Sequence, residues 1–248
     1  MARFFIAASN IVGGVAYLDS KAMDHIKVLR IRNGETFTVC DGSGTDYECR
    51  LADTQGANGV AQVLSCAPSG AEPSVKVTVY AAWPTVDKAE RIVQKCVELG
   101  AGEIVFFPSS RCVVKVDAAG AQKKVMRLGR IAEEAAKQSG RGVIPAVTAA
   151  GSFADAVKAA CGHDCALFLY EDEKTLGLRT VLEENGEAKS FALMTGPEGG
   201  FSPEEADAAA KAGMRSTVMG PRILRCETAP ICALTAVMLM SGNMQEGK

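Results

Sequence analysis

The pattern of apolar and polar positions changes near residue 70. Before that point, short segments alternate apolar and polar residues, as in Thr36–Cys40, 47–51 and 59–64, and a Gly-rich turn at 41–44 separates the first two. Such alternation is typical of strands that bury one face. One or two helical turns are expected around 24–29. This pattern predicts a small β-barrel in the N-terminal part of the chain.

After a linker-like segment at 67–73, short apolar runs alternate with helical patterns. Predicted strands lie at 75–81, 104–107, 166–170, 191–194 and 216–219, and predicted helices at 87–99, 121–139, 153–161, 203–212 and 229–241. Alternation of strands and helices predicts an α/β fold with a parallel sheet that is covered on both faces. We therefore expect two domains, a β-barrel over residues 1–70 and an α/β domain over residues 74–248.

Composition indicates a folded, soluble protein. Hydrophobic residues make up 48% and charged residues 23% of the 248 positions, close to the averages of globular domains, which argues against disorder. The longest apolar runs fall well short of the roughly 20 residues that cross a bilayer, and the N-terminus soon turns polar instead of forming a signal peptide. We expect a cytoplasmic protein with no membrane partner.

The nine cysteines are interpreted as reduced and mostly buried, because their number is odd and their spacing follows no disulfide framework. Cys161, His163 and Cys165 could suggest a metal site, but no second pair of ligands accompanies them. A helix end that runs into a strand is the favoured interpretation of this segment. We expect no metal.

Basic residues are clustered although the formal net charge is −2. The clusters contain Lys21, Lys27, Arg30 and Arg32 around His25, and Lys123, Lys124, Arg127, Arg130, Lys137 and Arg141 beside only Glu133 and Glu134. Local basic patches bind phosphates even in a slightly acidic protein. Each patch taken alone is more typical of a solvated helix face.

Two loops rich in Gly and Pro, the first loop at 195–202 and the second loop at 219–230, each follow a predicted strand and precede a predicted helix. Open α/β sheets bind ligands at such junctions. In the first loop, Ser202 and Glu205 form the pattern of a capping box, which explains the helix start but leaves Glu198 without a structural reason.

In the second loop, the apolar side chains of Ile223 and Leu224 stand in what should be a surface turn. Apolar walls with free backbone amides suit a flat, uncharged ring such as adenine. Packing of both side chains against the sheet is the alternative, and periodicity alone favours it. The common dinucleotide, P-loop, zinc-protease and nucleophile-elbow motifs are missing from the sequence.

The paired loops carry a specific resemblance. The sequences Gly196-Pro197-Glu198-Gly199-Gly200-Phe201-Ser202 and Gly220-Pro221-Arg222-Ile223-Leu224-Arg225-Cys226-Glu227-Thr228-Ala229 resemble the two motifs of the ribosomal RNA small subunit methyltransferase E family. The resemblance continues through 25–30, 94–100, 110–111 and 138–141. Departures are mild: Cys226 stands where the family often has Thr, and Cys112 where it often has Ser.

This resemblance implies an S-adenosyl-L-methionine-dependent methyltransferase of the SPOUT class, acting on N3 of a uridine in 16S ribosomal RNA near the decoding region. It implies a SPOUT-type domain with a C-terminal trefoil knot, which general topology rules alone would exclude. It further implies a PUA-like β-barrel that helps to bind RNA, and a homodimer with active sites at the subunit interface. The expected partners are 16S rRNA in the small ribosomal subunit and a second copy of the chain.

Site residues follow from the same resemblance together with the chemistry. Glu198 or Glu227 is expected to assist deprotonation of uridine, and Arg225, or Arg141 of the partner subunit, to stabilise the anion or its phosphate. The expected cofactor-binding residues are Leu193, Thr195, Gly196, Gly199, Met219, Gly220, Ile223, Leu224, Arg225, Thr228 and Ala229. The expected RNA contacts are His25, Lys27, Arg30, Arg32, Arg111, Lys115, Lys123, Lys124, Arg127 and Arg141.

Two other functions stay open on the sequence. One is a non-catalytic RNA-binding protein that keeps the fold and has no cofactor affinity. The other is an enzyme of the same class with a different target, such as transfer RNA.

Overall fold

The computed structural model describes residues 2–55 and 58–245, and it divides the chain into two compact units. The first unit comprises Met1–Glu72 with Ala136–Ile144, and the second unit comprises Pro73–Ala135 with Pro145–Lys248. A short segment from beyond the linker therefore packs with the N-terminal unit. Within the described residues, no helix has the length and apolar character required to cross a membrane.

The first unit is built on a six-stranded sheet with the order β1-β4-β5-β6-β3-β2. Its strands are β1 Arg3–Phe5, β2 Ile11–Val12, β3 Val15–Leu18, β4 Thr36–Cys40, β5 Thr45–Gln55 and β6 Asn58–Pro68, and its helix is α1 Ser20–Val28. Neighbouring strands are antiparallel except for β1 and β4, which are parallel. Asp19 begins α1 by accepting a hydrogen bond from the backbone N–H of Ala22 at 2.8 Å.

Alternation along β4 places Phe37 and Val39 in the core of the first unit, where both are fully buried. Helix α1 adds Met23 and Ile26 to the same core. A Cβ at Gly59 of β6 would collide with the sulfur of Met23, so a larger residue there would require the Met23 side chain to move. The expected helical turns are therefore part of the core of this unit.

The second unit contains a six-stranded sheet in which every pair of neighbouring strands is parallel, with the order β12-β10-β11-β7-β8-β9. Its strands are β7 Lys76–Ala82, β8 Glu103–Phe107, β9 Ala146–Ala149, β10 Cys165–Leu169, β11 Ser190–Thr195 and β12 Arg215–Thr217. Its helices are α2 Val86–Glu98, α3 Ala118–Ser139, α4 Phe153–Ala160, α5 Leu178–Glu184, α6 Pro203–Ala212 and α7 Thr228–Met240, with the end of α3 in the first unit. The α/β prediction with a parallel sheet is confirmed, and α5 is a helix that the hydrophobic pattern does not reveal.

An aromatic cluster anchors the first loop to the second unit's core. Phe201 at the end of this loop is 1% exposed, and its ring stacks on Phe168 of β10 with ring centroids 4.2 Å apart. Phe107 of β8 and Phe153 of α4 complete the cluster, with their ring centroids 6.4 and 6.1 Å from that of Phe201. The loop therefore has one fixed end in the core.

We expect Phe201→Ala to lower the free energy of unfolding by about 3–5 kcal/mol, because it removes buried surface and leaves a cavity among three other rings. Phe201→Leu keeps most of the volume and should cost less than half as much. Urea unfolding followed by the fluorescence of Trp83, the single tryptophan, measures both. A loss below about 1 kcal/mol for the alanine variant would contradict this role.

Candidate active site

One cavity of about 710 Å³ lies at the carboxyl ends of three neighbouring strands of the second unit. Leu169 of β10, Thr195 of β11 and Thr217 of β12 form its floor. Segments of both loops complete the wall, so residues more than 20 positions apart in the chain face the same space. The arrangement follows from parallel pairing, because the ends of parallel strands meet at one edge of a sheet.

Most of the residues that were expected to bind a cofactor lie in this wall. Those lining the cavity are Thr195, Gly196, Met219, Gly220, Ile223, Leu224, Arg225 and Ala229. The remaining three lie beside it: Leu193 is buried inside β11, Gly199 packs against Arg111, and Thr228 is the first residue of α7.

Ile223 is 85% exposed, so the alternative in which it packs against the sheet is wrong. Leu224 is half-buried and lines the cavity. Gly220, at the start of the second loop, has φ +90°, a backbone conformation that side chains other than glycine rarely adopt. The turn therefore presents apolar side chains toward solvent and the cavity instead of toward the core.

Glu198, which had no structural explanation in the sequence, lies at the N-terminus of α2. Its Oε1 accepts hydrogen bonds from the backbone N–H of Thr85 at 3.1 Å and from Nζ of Lys88 at 3.0 Å. Partial burial by itself raises the pKa of Glu198, but hydrogen bonds from backbone amides and from Lys88 outweigh it and lower the pKa. Glu198 is therefore an ionised carboxylate at neutral pH.

Lys88 contacts the second loop as well. Its Nζ lies 3.9 Å from Oε2 of Glu227, the residue before α7. The hydrogen bond with Glu198 is the main cause that raises the pKa of Lys88.

The thiol of Cys226 lies 3.4 Å from the same carboxylate oxygen of Glu227. Burial is the main cause that raises the pKa of Cys226 to about 12, and the charge of Glu198 adds to it. Cys226 is thus a neutral thiol beside charged neighbours.

Lys88 was missed in the sequence, although one signal could have found it. It stands in the first turn of α2, where the helix dipole disfavours a positive charge. A lysine at such a position is more easily explained if a carboxylate from another segment faces it.

Glu205 ties the first loop to the segment after β8. The predicted capping box is confirmed: Ser202 Oγ accepts from the N–H of Glu205, and the Glu205 carboxylate accepts from the N–H of Ser202 at 3.0 Å. The same buried carboxylate also accepts from Ser109 Oγ at 3.2 Å, from Ser110 N–H at 2.8 Å and from Ser110 Oγ at 2.9 Å. One side chain thus caps α6 and fixes the residues that precede Arg111.

Two glycines of the first loop permit this packing. A Cβ at Gly199 would lie 3.1 Å from both Cβ and the carbonyl oxygen of Arg111, whose guanidinium donates to the Gly199 carbonyl at 3.4 Å. Gly200 has φ +66°, and a Cβ there would collide with the Glu171 carboxylate. The loop can approach its neighbours because these positions lack side chains.

Glu173 shapes a third part of the cavity wall. Its Oε1 accepts from Thr175 Oγ1 at 2.6 Å and from the backbone N–H groups of Lys174, Thr175 and Leu176 at 2.9, 2.8 and 3.3 Å. These hydrogen bonds, led by that of the Thr175 hydroxyl, lower the pKa of Glu173 to about 2. The turn after β10 is therefore closed around an ionised carboxylate.

The expected RNA contacts differ in accessibility. Those with exposed side chains are Lys27, Arg30 and Arg32 in the first unit and Arg111, Lys115, Lys123 and Arg127 in the second, while His25 and Lys124 are half-buried. Arg141 is only 3% exposed, and its guanidinium donates to Oε2 of Glu72 at 2.6 Å. The N–H groups of Gly142 and Val143 donate to Oε1 of Glu72, so Arg141 belongs to a buried network of the first unit.

The segment from Cys161 to Cys165 joins α4 to β10, as the sequence suggested. The ring nitrogens of His163 lie 3.1 Å from the Ala160 carbonyl oxygen and 3.0 Å from Thr78 Oγ1. Over the described ranges, no group of three or more His, Cys, Asp or Glu side chains is arranged to hold a metal ion.

We expect Glu205→Ala to lower the free energy of unfolding by about 2–3 kcal/mol, because it leaves buried donors of Ser109, Ser110 and Ser202 without their acceptor. Glu204→Ala, one residue earlier on the exposed face of α6, serves as the control and should cost less than about 1 kcal/mol. Chemical denaturation measures both losses, and equal losses would refute the special role of Glu205.

Comparisons with known proteins identify the family of each part of the chain. The RNA methyltransferase domain family matches residues 71–238, and the RNA methyltransferase PUA domain family matches residues 19–61. Ribosomal RNA small subunit methyltransferase E from Bacillus subtilis (strain 168) is 32% identical over 86% of this chain and 84% of its own length. The corresponding protein from Synechocystis is 32% identical over 95% of this chain and 76% of its own length.

Solved structures extend the similarity to the fold. Ribosomal RNA small subunit methyltransferase E from Neisseria gonorrhoeae, bound to S-adenosyl methionine, is 28% identical, with a TM-score of 0.87 over 99% of this chain and 100% of that one. A methyltransferase from Legionella pneumophila in complex with the same cofactor has 27% identity and a TM-score of 0.84, covering 96% and 97% of the two chains.

The second unit thus has the fold and the loop arrangement of an RNA methyltransferase domain, and a PUA-type domain precedes it. The chain belongs to the ribosomal RNA small subunit methyltransferase E family. The family prediction made from the paired loops is confirmed.

Proposed function

We propose that this protein uses S-adenosyl-L-methionine to methylate N3 of a uridine in 16S rRNA, near the decoding region of the small ribosomal subunit. The observation that carries the proposal is the meeting of the two loops at one cavity above β10, β11 and β12. The similar protein from N. gonorrhoeae is bound to this cofactor in its crystal structure. The relatives are named as methyltransferases of the small subunit ribosomal RNA.

The residues of the cavity fit this cofactor. Thr217 Oγ1 is buried in the cavity floor and, among the described residues, has no hydrogen-bond partner, so a polar group is accommodated there. Ile223 and Leu224 offer apolar contacts for a base. Charged side chains of both signs also line the wall, as a zwitterionic amino-acid group requires: Glu171, Glu173, Lys174, Arg222 and Arg225.

When bound, the cofactor supplies a methyl group activated by a sulfonium charge. The chain must orient the uridine and accept the proton from its N3, because this proton is mostly retained at neutral pH. We assign stabilisation of the resulting anion to Arg225, an exposed cation in the cavity wall.

Of the two carboxylates, we assign acceptance of the N3 proton to Glu227 and a positioning role to Glu198. Glu198 accepts two hydrogen bonds of about 3 Å that lower its pKa, which makes it a weak proton acceptor. The contacts of Glu227 with described side chains are longer, at 3.4 Å to Cys226 and 3.9 Å to Lys88.

RNA binding is assigned to the basic side chains that are exposed or half-buried. We propose contacts by His25, Lys27, Arg30 and Arg32 in the first unit and by Arg111, Lys115, Lys123, Lys124 and Arg127 in the second. Arg141 is left out because its guanidinium is buried and donates a hydrogen bond to Glu72. Phosphate contacts of this kind give salt-dependent affinity, and a uridine within folded RNA has to be unstacked to reach the cavity.

For the domains, we propose that residues 1–70 form a PUA-like RNA-binding β-barrel and residues 74–248 a SPOUT catalytic domain with a C-terminal trefoil knot. The PUA match over 19–61 supports the first assignment. For the second, β11 lies between β10 and β7, and α7 returns from β12 to pack on β11, β7 and α2. The knot itself is inferred from the family resemblance of the paired loops, because a helix also packs on a parallel sheet without threading.

We also propose a homodimer in which a second copy covers α7. This helix of 13 residues has no charged side chain, which is typical of a helix that is buried all round. Leu239 and Met240 are nevertheless 58% and 43% exposed, beside a groove of about 700 Å³. Gly220 and Leu224 line both this groove and the cavity, so a partner in the groove would adjoin the active site.

Sedimentation is expected to show a dimer at micromolar concentration. Leu239→Glu combined with Met240→Glu should produce monomers, because two charges would be buried in the interface. Val113→Glu, at another exposed apolar residue, is the control and should leave the dimer intact. A monomeric wild-type protein would exclude the dimer.

The function is tested by mass spectrometry of 16S rRNA from a bacterial strain that lacks the gene. Loss of 3-methyluridine, restored by the wild-type gene, is expected. Purified Glu227→Gln should methylate about 100-fold more slowly or worse while binding the cofactor, as is usual for loss of a general base. Loss of the modified base from transfer RNA instead would favour the other target, and absence of calorimetric cofactor binding would favour a non-catalytic RNA-binding protein.

A further inference from the structure

Three charged side chains from three separate segments meet at one side of the cavity. Lys88 belongs to the first turn of α2, Glu198 to the first loop and Glu227 to the end of the second loop. The Lys88 ammonium lies 3.0 Å from Glu198 Oε1 and 3.9 Å from Glu227 Oε2. The three side chains are only 23%, 21% and 12% exposed, so water screens their charges incompletely.

Lys88 is the positively charged group that lies between these two carboxylates. The Cys226 thiol is the other titratable group that faces it, and it is neutral. Helix α7, which packs against α2, carries no charged residue over Thr228–Met240. Further charged residues are Asp87, Glu90 and Arg91 on α2 itself and Glu171, Glu173, Lys174, Arg222 and Arg225 in the cavity wall.

We propose that Lys88 is a positioning residue: its charge neutralises Glu198 and Glu227 together and thereby holds the two loops at the separation that cofactor binding requires. The inference rests on the proposed function, because it concerns affinity for S-adenosyl-L-methionine. Lys88 acts through the two carboxylates and takes no part in the transfer of the methyl group.

Removal of this charge has a consequence that depends on pH. Two ionised carboxylates would then face each other in a partly buried site, which spreads the loops and raises the pKa of one carboxyl group. As the pH falls, that group takes up a proton, and the proton replaces the missing positive charge. A lysine that only filled space would give a loss of affinity that does not change with pH.

The test is calorimetric titration of the full chain with S-adenosyl-L-methionine at several pH values. The readout is the ratio of dissociation constants, variant over wild type, because titration of the free cofactor cancels in it. For Lys88→Met, we expect binding about tenfold weaker at about pH 8, and a ratio that falls several-fold by about pH 5.5. Lys88→Arg keeps the charge and should give a ratio near one at every pH.

Two further variants sharpen the test. Lys88→Met combined with Glu198→Gln removes one charge of each sign and should recover most of the affinity at about pH 8, because the glutamine oxygen can still accept from Thr85. Lys95→Met is the matched control: Lys95 lies two turns further along α2, its Nζ is 2.9 Å from Glu98, and it does not line the cavity. Its ratio should be near one.

The outcomes separate the two proposals. Wild-type protein that does not bind the cofactor overturns the proposed function and, with it, the role of Lys88. If wild type binds and the Lys88→Met ratio is near one, or is raised equally at all pH values, only the role of Lys88 is overturned. If the double variant does not recover affinity, the role of Lys88 is likewise overturned. If Lys88→Met alone does not fold, a folded double variant supports the role of the charge, and an unfolded one contradicts it.

Discussion

The pairing register of β11 is the constraint on which the active site depends. Thr195 at the end of β11 pairs with Leu169 of β10 on one side and with Ala81 of β7 on the other, and Leu169 in turn pairs with Thr217 of β12. These pairings bring the starts of both loops and the approach to α2 to one edge of the sheet. A shift of one residue would turn buried side chains of β11 to the opposite face, which the packed core does not allow.

Hydrogen bonds at this edge explain why acidic side chains occur in and directly after the glycine-rich first loop. Glu198 and Glu205 are only seven positions apart, yet they join the first loop to different segments. Glu198 accepts from the start of α2, and Glu205 accepts from the serines after β8. Each carboxylate satisfies donors that would otherwise be unpaired at the end of a helix or in a tight turn. The backbone of the loop is thereby held on two sides, while Gly199 and Gly200 leave room for Arg111 and Glu171.

Buried charge has a different role in the first unit. Arg141 follows the end of α3, and Glu72 lies where the chain leaves the N-terminal sheet. Their ion pair, with the N–H groups of Gly142 and Val143, holds the segment Ala136–Ile144 in the first unit. A basic residue in a positively charged stretch of sequence is therefore not always available to RNA. In this case the guanidinium is committed to the structure of the unit itself.

Local signals in the sequence determined the alternating strands, the parallel α/β sheet, the capping box of Ser202 and Glu205, and the family motifs of the two loops. These features depend on periodicity or on residues close together in the chain. Only the tertiary structure decided the exposure of Ile223, the burial of Arg141 and the partners of Glu198, because each depends on segments far apart in sequence. Lys88 and Glu198 are 110 positions apart, and no local pattern encodes the pairing of β11 with β7 that brings them within hydrogen-bonding distance.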